Sequence, residues 1–396
     1  MFGQPAVQQA PTGPNVNNDF PVRQADCICC GSSTAEDATW RGGAKRNDRA
    51  ALTREGALPP PRRVQVPQSP SDGISALCWS PKQNYLVATS WDAQVRCYEV
   101  QAGSGSIAPR ASVSHDAPLL AACWHHDGGS VFSAGCDKQA KRWDLGSNQQ
   151  VQVSAHDAPI RHCAWVPEVN LLITGSWDKT LRYWDTRSPS AALTVTLPER
   201  CYALSVTHPL LVVATADRHM LVYNLSNPQT VYKQIQSPLK YQTRCVAAFP
   251  DKSGYLVGSI EGRVAVQHVE ESLASRNFTF KCHREPNDGS VCSVNSVVFH
   301  PVHGTFVTTG SDATYNFWDK DSKQRLKAMQ KCAGPIPCGA YNADGSIYAY
   351  AVSYDWSKGA EAHNPATATN TIYLHQVQEQ DVKPRQRTTA AAGNKR

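Results

Sequence analysis

A short acidic turn recurs along this chain at nearly even spacing. It reads Ser90-Trp91-Asp92, Gly135-Cys136-Asp137, Ser176-Trp177-Asp178, Thr215-Ala216-Asp217, Ser259-Ile260-Glu261, Ser311-Asp312 and Ser353-Tyr354-Asp355, and the successive acids stand 45, 41, 39, 44, 51 and 43 residues apart. Each copy has the same surroundings. Upstream lies an apolar run ending in a small polar residue or proline, as in Leu77-Cys78-Trp79-Ser80-Pro81 and Cys163-Ala164-Trp165-Val166-Pro167. A second run follows, such as Leu171-Leu172-Ile173-Thr174. After the turn a third run closes on an aromatic plus an acid: Trp143-Asp144, Trp184-Asp185 and Trp318-Asp319, with weaker Tyr98-Glu99 and Tyr223-Asn224. Alternation broken by turn residues predicts strands joined by hairpins. Seven copies of one small β unit constrain the fold more than any other feature of the chain.

The period resembles that of the WD repeat, roughly 40–45 residues and four strands per propeller blade. The predicted fold is therefore all-β, a seven-bladed WD40 β-propeller. The turn acid can accept hydrogen bonds from a loop histidine and from backbone N–H groups, while the tryptophan closing the third strand packs beneath it and donates its indole N–H. In the third blade this predicts a structural set of His156, Asp178 and Trp184. The ring must close without leaving a long edge unpaired. Arg63-Val64-Gln65-Val66 is placed to complete the last blade beside Ile372-Tyr373-Leu374-His375. The propeller is expected over 62–377. Residues 1–61, rich in Gln, Ala, Pro and Asn, bury too little apolar surface to fold alone and are predicted to form a disordered arm. Residues 378–396 are predicted to be a basic disordered tail.

Charge narrows the function classes. The net charge is +6, of which residues 1–65 carry eight basic and six acidic side chains and residues 376–396 carry five and two. The ring itself is nearly neutral, so any nucleic-acid surface on it is a local patch. The chain opens MFGQPAVQQAPTG, without a basic start or an apolar core, which predicts no secretory signal. Most of the fourteen cysteines sit in apolar runs, as small buried hydrophobes of a reducing compartment. No apolar stretch reaches the ~20 residues of a membrane helix, so no membrane insertion is expected. Cys27-Ile28-Cys29-Cys30 has a C-x-x-C spacing with no second pair or nearby histidine to complete a zinc site. No metal or cofactor is expected.

Catalytic constellations are absent: there is no G-x-S-x-G, no phosphate-cradling glycine loop and no H-E-x-x-H. His125-His126-Asp127 falls in a turn after Trp124, where a solvent-facing polar trio is ordinary. A non-enzymatic binding platform is the expectation. The acidic turns and the blade-entry loops share one face, which gathers Trp91, Trp177 and Tyr354 with Lys240, Tyr241 and Arg244. Such aromatic and arginine side chains anchor protein interfaces, or else fill gaps between blades. A second candidate lies in blades five and six, where basic and aromatic residues interleave through 278–285 and from Trp318 to Lys327. That composition suits phosphate contact and base stacking, or a solvated strand with locally paired charges.

Several stretches are more specific than the repeat: GSWDKTLRYWDTR (175–187), NFTFKCHR (277–284), FHPVHG (299–304), FWDKD (317–321) and SYDWSKG (353–359). They resemble the messenger-RNA export factors of the nuclear pore, WD-repeat nucleoporins of the Rae/Gle type, over residues 64 to 384. The resemblance implies a nuclear-envelope and nuclear-pore location with some cytoplasmic protein. It implies a GLEBS peptide of an FG nucleoporin docked on the turn face, contact with single-stranded RNA or ribonucleoprotein, and a role in mRNA export. It also implies mitotic checkpoint or spindle partners. A nucleic-acid surface would map onto Arg263, Phe280, Trp318, Lys320, Lys323 and Arg325. The alternative is the sister family, a spindle-checkpoint scaffold that binds checkpoint kinases through a GLEBS-like peptide. Residues 285–293 and 360–371 look individual to this chain.

Overall fold

A computed structural model describes residues 63–101, 106–285 and 287–385. They form seven four-stranded antiparallel sheets, each a blade with strands a to d from the axis outward. The arm expected over 1–61, with its Cys27–Cys30 spacing, and the part of the tail beyond 385 lie outside the described residues. Blades one to six are sequential hairpins. Blade seven takes its a, b and c strands from Gly339–Tyr341, Ile347–Val352 and Thr371–Gln376, and its d strand from Val64–Gln65 near the start of the described chain. Val64 pairs with Leu374 and Gln65 with Tyr373, and the Val66 N–H donates to the Ile372 carbonyl (2.9 Å). This closes the ring and leaves no open inner edge.

The core is distributed rather than central. Each of the seven seams between blades holds one apolar cluster, from Val87, Val131 and Trp143 between blades one and two to Val66, Ile74 and Ile372 between seven and one. That arrangement explains the sequence pattern. The b strands, covered on both faces by neighbouring blades, are buried throughout, as in Leu210–Thr215, and read as continuous apolar runs. Outer strands such as Val231–Gln236 alternate between half-buried and exposed positions and read with period two.

The acidic turns are the b–c turns, and all seven share one backbone shape. The residue after each acid is left-handed: Ala93, Lys138, Lys179, Arg218, Gly262, Ala313 and Trp356, with φ between 61° and 68°. A left-handed L-residue costs about 1–2 kcal/mol. In six turns an aspartate offsets this by accepting the N–H two residues on, as Asp178 Oδ1 does from Thr180 (2.9 Å) and Asp312 Oδ1 from Thr314 (3.1 Å). The fifth turn has Glu261, one methylene longer, and there the left-handed position is a glycine.

One boundary needs correction. Residues 378–385, expected to begin a disordered tail, form a short helix, Glu379–Val382, with its following residues laid against blade six. Asp381 and Val382 are buried, and Lys327 and His375 close on the Asp381 carboxylate. Composition alone marked this stretch as solvated because its partners lie in blades six and seven.

Candidate docking face and basic rim

The brace expected in blade three has four members. His156 Nδ1 meets Asp178 Oδ2 at 2.8 Å, His156 Nε2 meets Thr174 Oγ1 at 2.7 Å, and Trp184 Nε1 donates to the same Oγ1 at 2.8 Å. The tryptophan thus reaches Asp178 through Thr174 and His156, not directly as the sequence reading had it. Burial alone would raise the Asp178 pKa, but hydrogen bonds from His156 and Thr180 hold it well below the usual carboxylate range. Blade six repeats the set with Asp312, His283, Thr308 and Trp318. Blade two has His115 between Asp137 and Ser133, but its Trp143 donates to Asn148.

On the turn face, each b–c turn is hooked to the loop that enters its own blade: Trp91 N–H to Gly73 O, Trp177 N–H to Pro159 O and Ser353 N–H to Pro335 O. Trp91, Trp177 and Tyr354 are all half-buried. Trp91 and Tyr354, from adjacent blades one and seven, join one aromatic group through Trp356, which lies 5.7 Å from Trp91 and 5.4 Å from Tyr354. The His363 ring packs at a tilt against both Tyr354 and Trp356 (5.2 and 4.9 Å between centres). Trp177 stands apart on blade three. Trp356 and His363 were not singled out in the sequence. Trp356 follows a turn acid, where blades one to six carry no aromatic, and His363 lies in the 360–371 insertion.

Lys240 and Tyr241 are exposed at the entry to blade five, Tyr241 at 56%. Arg244 turns inward. Its Nη2 donates to the Asp355 carbonyl (2.9 Å), spanning from blade five to the turn of blade seven. It shares the axial channel, a cavity of about 190 Å³, with Arg161 of blade three. All seven inner strands line that channel, and none of the lining residues is acidic. Burial, then the nearby Arg244 charge, brings the Arg161 pKa down to about 10. Two guanidinium groups in a lining without acids make the channel electropositive, with the nearby Asp355 carboxylate held by Asn295 and Ser311. Arg161 was invisible to the sequence reading because a strand position alone does not reveal that it faces the axis.

The second candidate is divided by the structure. Phe280 and Trp318 are 1% and 3% exposed and pack on each other at 5.0 Å in the seam between blades five and six. They are core, and the base stacking expected of them does not survive their burial. Arg263 opens the c strand of blade five at its turn end, beside Glu261. Lys320, Lys323 and Arg325 lie at the other end of the ring, at and after the c–d turn of blade six. These three form a basic rim on an aromatic base: Lys320 lies 5.1 Å from the Phe249 ring centre, Lys323 4.5 Å from Phe278, and Arg325 5.9 Å from Trp318. Lys320 is also paired with Asp321.

Elsewhere the geometry is structural. His126 Nδ1 accepts the Trp165 indole N–H (2.9 Å), and His125 pairs with Asp127. Among the described residues no group of His, Cys, Asp and Glu is arranged to hold a metal ion, and no helix is long and apolar enough to cross a membrane.

Comparison with known proteins agrees with this architecture. The model of the WD domain, G-beta repeat, matches residues 62–99, 109–144, 147–185 and 275–319. "Protein RAE1" of Arabidopsis thaliana is 64% identical over 334 residues, covering 84% of this chain and 95% of that protein. The "Poly(A)+ RNA export protein" of Schizosaccharomyces pombe is 50% identical over 327 residues, 81% of this chain and 92% of that protein. The "mRNA export factor" of Xenopus tropicalis is 47% identical over 343 residues, 82% and 92% of the two chains. With more than nine-tenths of the length of these relatives matched at 47–64% identity, the chain belongs to the Rae1 and mRNA export factor family of WD40 propellers.

Proposed function

We propose that this protein is a non-enzymatic mRNA export factor of the nuclear pore, a platform that docks a GLEBS peptide of an FG nucleoporin on its turn face and contacts RNA or ribonucleoprotein. Whole-propeller similarity to proteins named for poly(A)+ RNA and mRNA export carries this reading. The chemistry of the turn face supports it. A peptide crossing that face meets half-buried aromatic rings at blades one, three and seven and an exposed Lys240 and Tyr241 at blade five. At the axis it meets the Arg161 and Arg244 charges, which favour acidic side chains on the peptide. The basic rim of Lys320, Lys323 and Arg325 remains for phosphate, although its aromatic support is largely covered. A nuclear-envelope location follows from the proposed partner.

The test is calorimetry of the purified protein with a GLEBS peptide from the same organism. Trp177→Ala and Lys240→Glu are measured in parallel, with Arg244→Glu checked by thermal melting because it also breaks the Asp355 contact. Binding weakened about 10- to 30-fold in at least one variant that melts like wild type supports docking on this face. A folded protein with no affinity for the peptide would refute the partner and move the checkpoint-type scaffold to first place.

A further inference from the structure

Arg244 stands within reach of an acid that it does not pair with. Its Nη2 donates to the backbone carbonyl of Asp355 (2.9 Å), the turn acid of blade seven. The Asp355 carboxylate is turned the other way. Its Oδ2 accepts from Asn295 Nδ2 (2.7 Å) and from Ser311 Oγ (2.5 Å), and its Oδ1 accepts from the Ser357 N–H (3.2 Å). Asn295 and Ser311 belong to blade six, so this acid is braced across the seam. The acids of blades three and six take a histidine from the loop entering their own blade. The loop entering blade seven, 329–338, contains none. Burial alone would raise the Asp355 pKa, but the bonds from Ser311, Asn295 and Ser357 lower it, so the carboxylate stays charged. A rotation about its own Cα–Cβ bond would carry that charge to the guanidinium, because the carbonyl of the same residue is already there. Among the described residues neither Arg244 nor Arg161 has a carboxylate partner.

The inner strands explain the arrangement. Arg161, Arg244 and Asn295 each stand at the register shift of their strand, between Ile160 and His162, Thr243 and Cys245, and Val294 and Ser296. Such irregularities re-aim a side chain, and all three of these line the axial channel. Asn295 is the one of the three that donates to a carboxylate without bringing a charge. Its amide nitrogen also donates to the Ile336 carbonyl (3.2 Å), which fixes the side chain. We propose that Asn295 and Ser311 are positioning residues that hold the Asp355 carboxylate away from Arg244, and so keep the Arg244 and Arg161 charges available to an acidic peptide on the turn face. This rests on the peptide docking of the proposed function and says what keeps its charged anchor free. Two neutral donors separate a charged aspartate from an arginine that lacks any other acid. Local chemistry favours the ion pair, and such departures mark functional sites. Freed of Asn295, the carboxylate closes on Arg244, and the partner's acids meet one free guanidinium in place of two.

The test is calorimetry of the full chain with the same GLEBS peptide and with a copy whose acidic residues are all replaced by amides. Asn295→Ala should weaken binding of the acidic peptide by about 10-fold or more, and Ser311→Ala should weaken it in the same direction. The difference between wild type and variant should vanish for the neutral copy. Asp355→Asn should bind the acidic peptide at least as tightly as wild type. Added to Asn295→Ala, it should restore binding to within about 2-fold, a rescue that a purely structural Asn295 does not give. Thermal melts accompany each variant, and Ser311→Ala, at a half-buried position, carries the test should Asn295→Ala not fold. Wild-type binding by Asn295→Ala would overturn the inference while leaving the docking intact. So would equal weakness of Asn295→Ala with and without Asp355→Asn, which is how a lost shape or a lost direct contact behaves. A wild-type protein that binds neither peptide would overturn the docking reading, and this inference with it.

Discussion

Replacing Thr174 by valine isolates the brace of blade three. The side chains have nearly the same shape, so the change removes one hydroxyl and no packing. In the folded protein that hydroxyl is fully buried and takes part in two short bonds and a longer one to the Arg182 carbonyl (3.4 Å). His156 bridges the Asp178 carboxylate at Nδ1 and the Thr174 hydroxyl at Nε2. The Thr174 oxygen in turn accepts from the Trp184 indole. Valine leaves the indole N–H and the imidazole nitrogen unpaired where water does not reach them. At about 1–3 kcal/mol for each orphaned group, the loss is roughly 2–6 kcal/mol. At about 2 °C per kcal/mol for a large domain, Tm should fall by about 4–12 °C. Thr215→Val in blade four is the control. Its hydroxyl bonds mainly to the half-exposed Asp217, which water can satisfy instead, so the cost there is about 1 kcal/mol or less. Urea denaturation followed by circular dichroism and by tryptophan fluorescence measures both. Equal destabilisation by the two variants would refute the argument that a shared buried hydroxyl stabilises the blade.

The acid limb of stability should follow the buried aspartates. The pKa values of Asp178, Asp312 and Asp381 are lowered in the folded chain, where burial is outweighed by hydrogen bonds from histidine, threonine or lysine. A depressed carboxylate stabilises above the unfolded pKa of about 3.9 and loses that contribution as pH falls towards the folded value. Tm should therefore hold near neutrality and drop steeply below about pH 4, with a shallower acid limb in Asp178→Asn; an unchanged limb in that variant would remove the aspartate from the account. The turns give a second contrast. Lys179→Gly relieves a left-handed residue and should be neutral or slightly stabilising. Gly262→Ala should cost more than the ~1–2 kcal/mol of its backbone conformation, because a Cβ there would sit 2.8–2.9 Å from the carbonyls of Cys282, Cys292 and His283. Thermal melts of the two variants shifting equally would contradict this.

The ring was legible because its repeat depends on local chemistry. An aspartate before a left-handed residue and an alternating strand closing on an aromatic are both written within about ten residues, and the blade count followed from them. The brace was only partly legible. His156 was found because it stands 22 residues before Asp178, as His115 does before Asp137. His283 plays the same part 29 residues before Asp312, displaced by the loop that makes this interval the longest, and so went unread. Thr174 was hidden at the end of an apolar run, where a threonine reads as one more strand former. The rim failed for a different reason. Residues alternating on a strand face opposite ways, and nothing in FTFK says which face the next blade covers. Phe280 and Trp318 took the covered side, while Lys323 and Arg325 are exposed.

The ladder that closes the ring is only two residues long, too short to hold a blade by backbone pairing alone. Other contacts supplement it on both sides. Val66 is fully buried in the seam with blade one, and the Tyr98 hydroxyl donates to the Gln68 carbonyl (2.9 Å) just beyond the strand. On the other side Arg63 Nη2 donates to the Gln330 carbonyl of blade six (2.8 Å). The C-terminal helix is fixed at the same seam of blades six and seven, through Thr305 and Lys327. Both ends of the described chain are thus fastened around blade seven, the one blade whose strands are not continuous in sequence. A ring with a discontinuous blade opens most easily there, because the c and d strands of blade seven lack the covalent hairpin that every other blade has. The helix bridges blade six to the c strand of blade seven, which gives residues 383–385 a structural reason to be ordered. The same tie carries Arg385 along the outer strand of blade six, where it donates to Gln324 and to the Leu326 carbonyl.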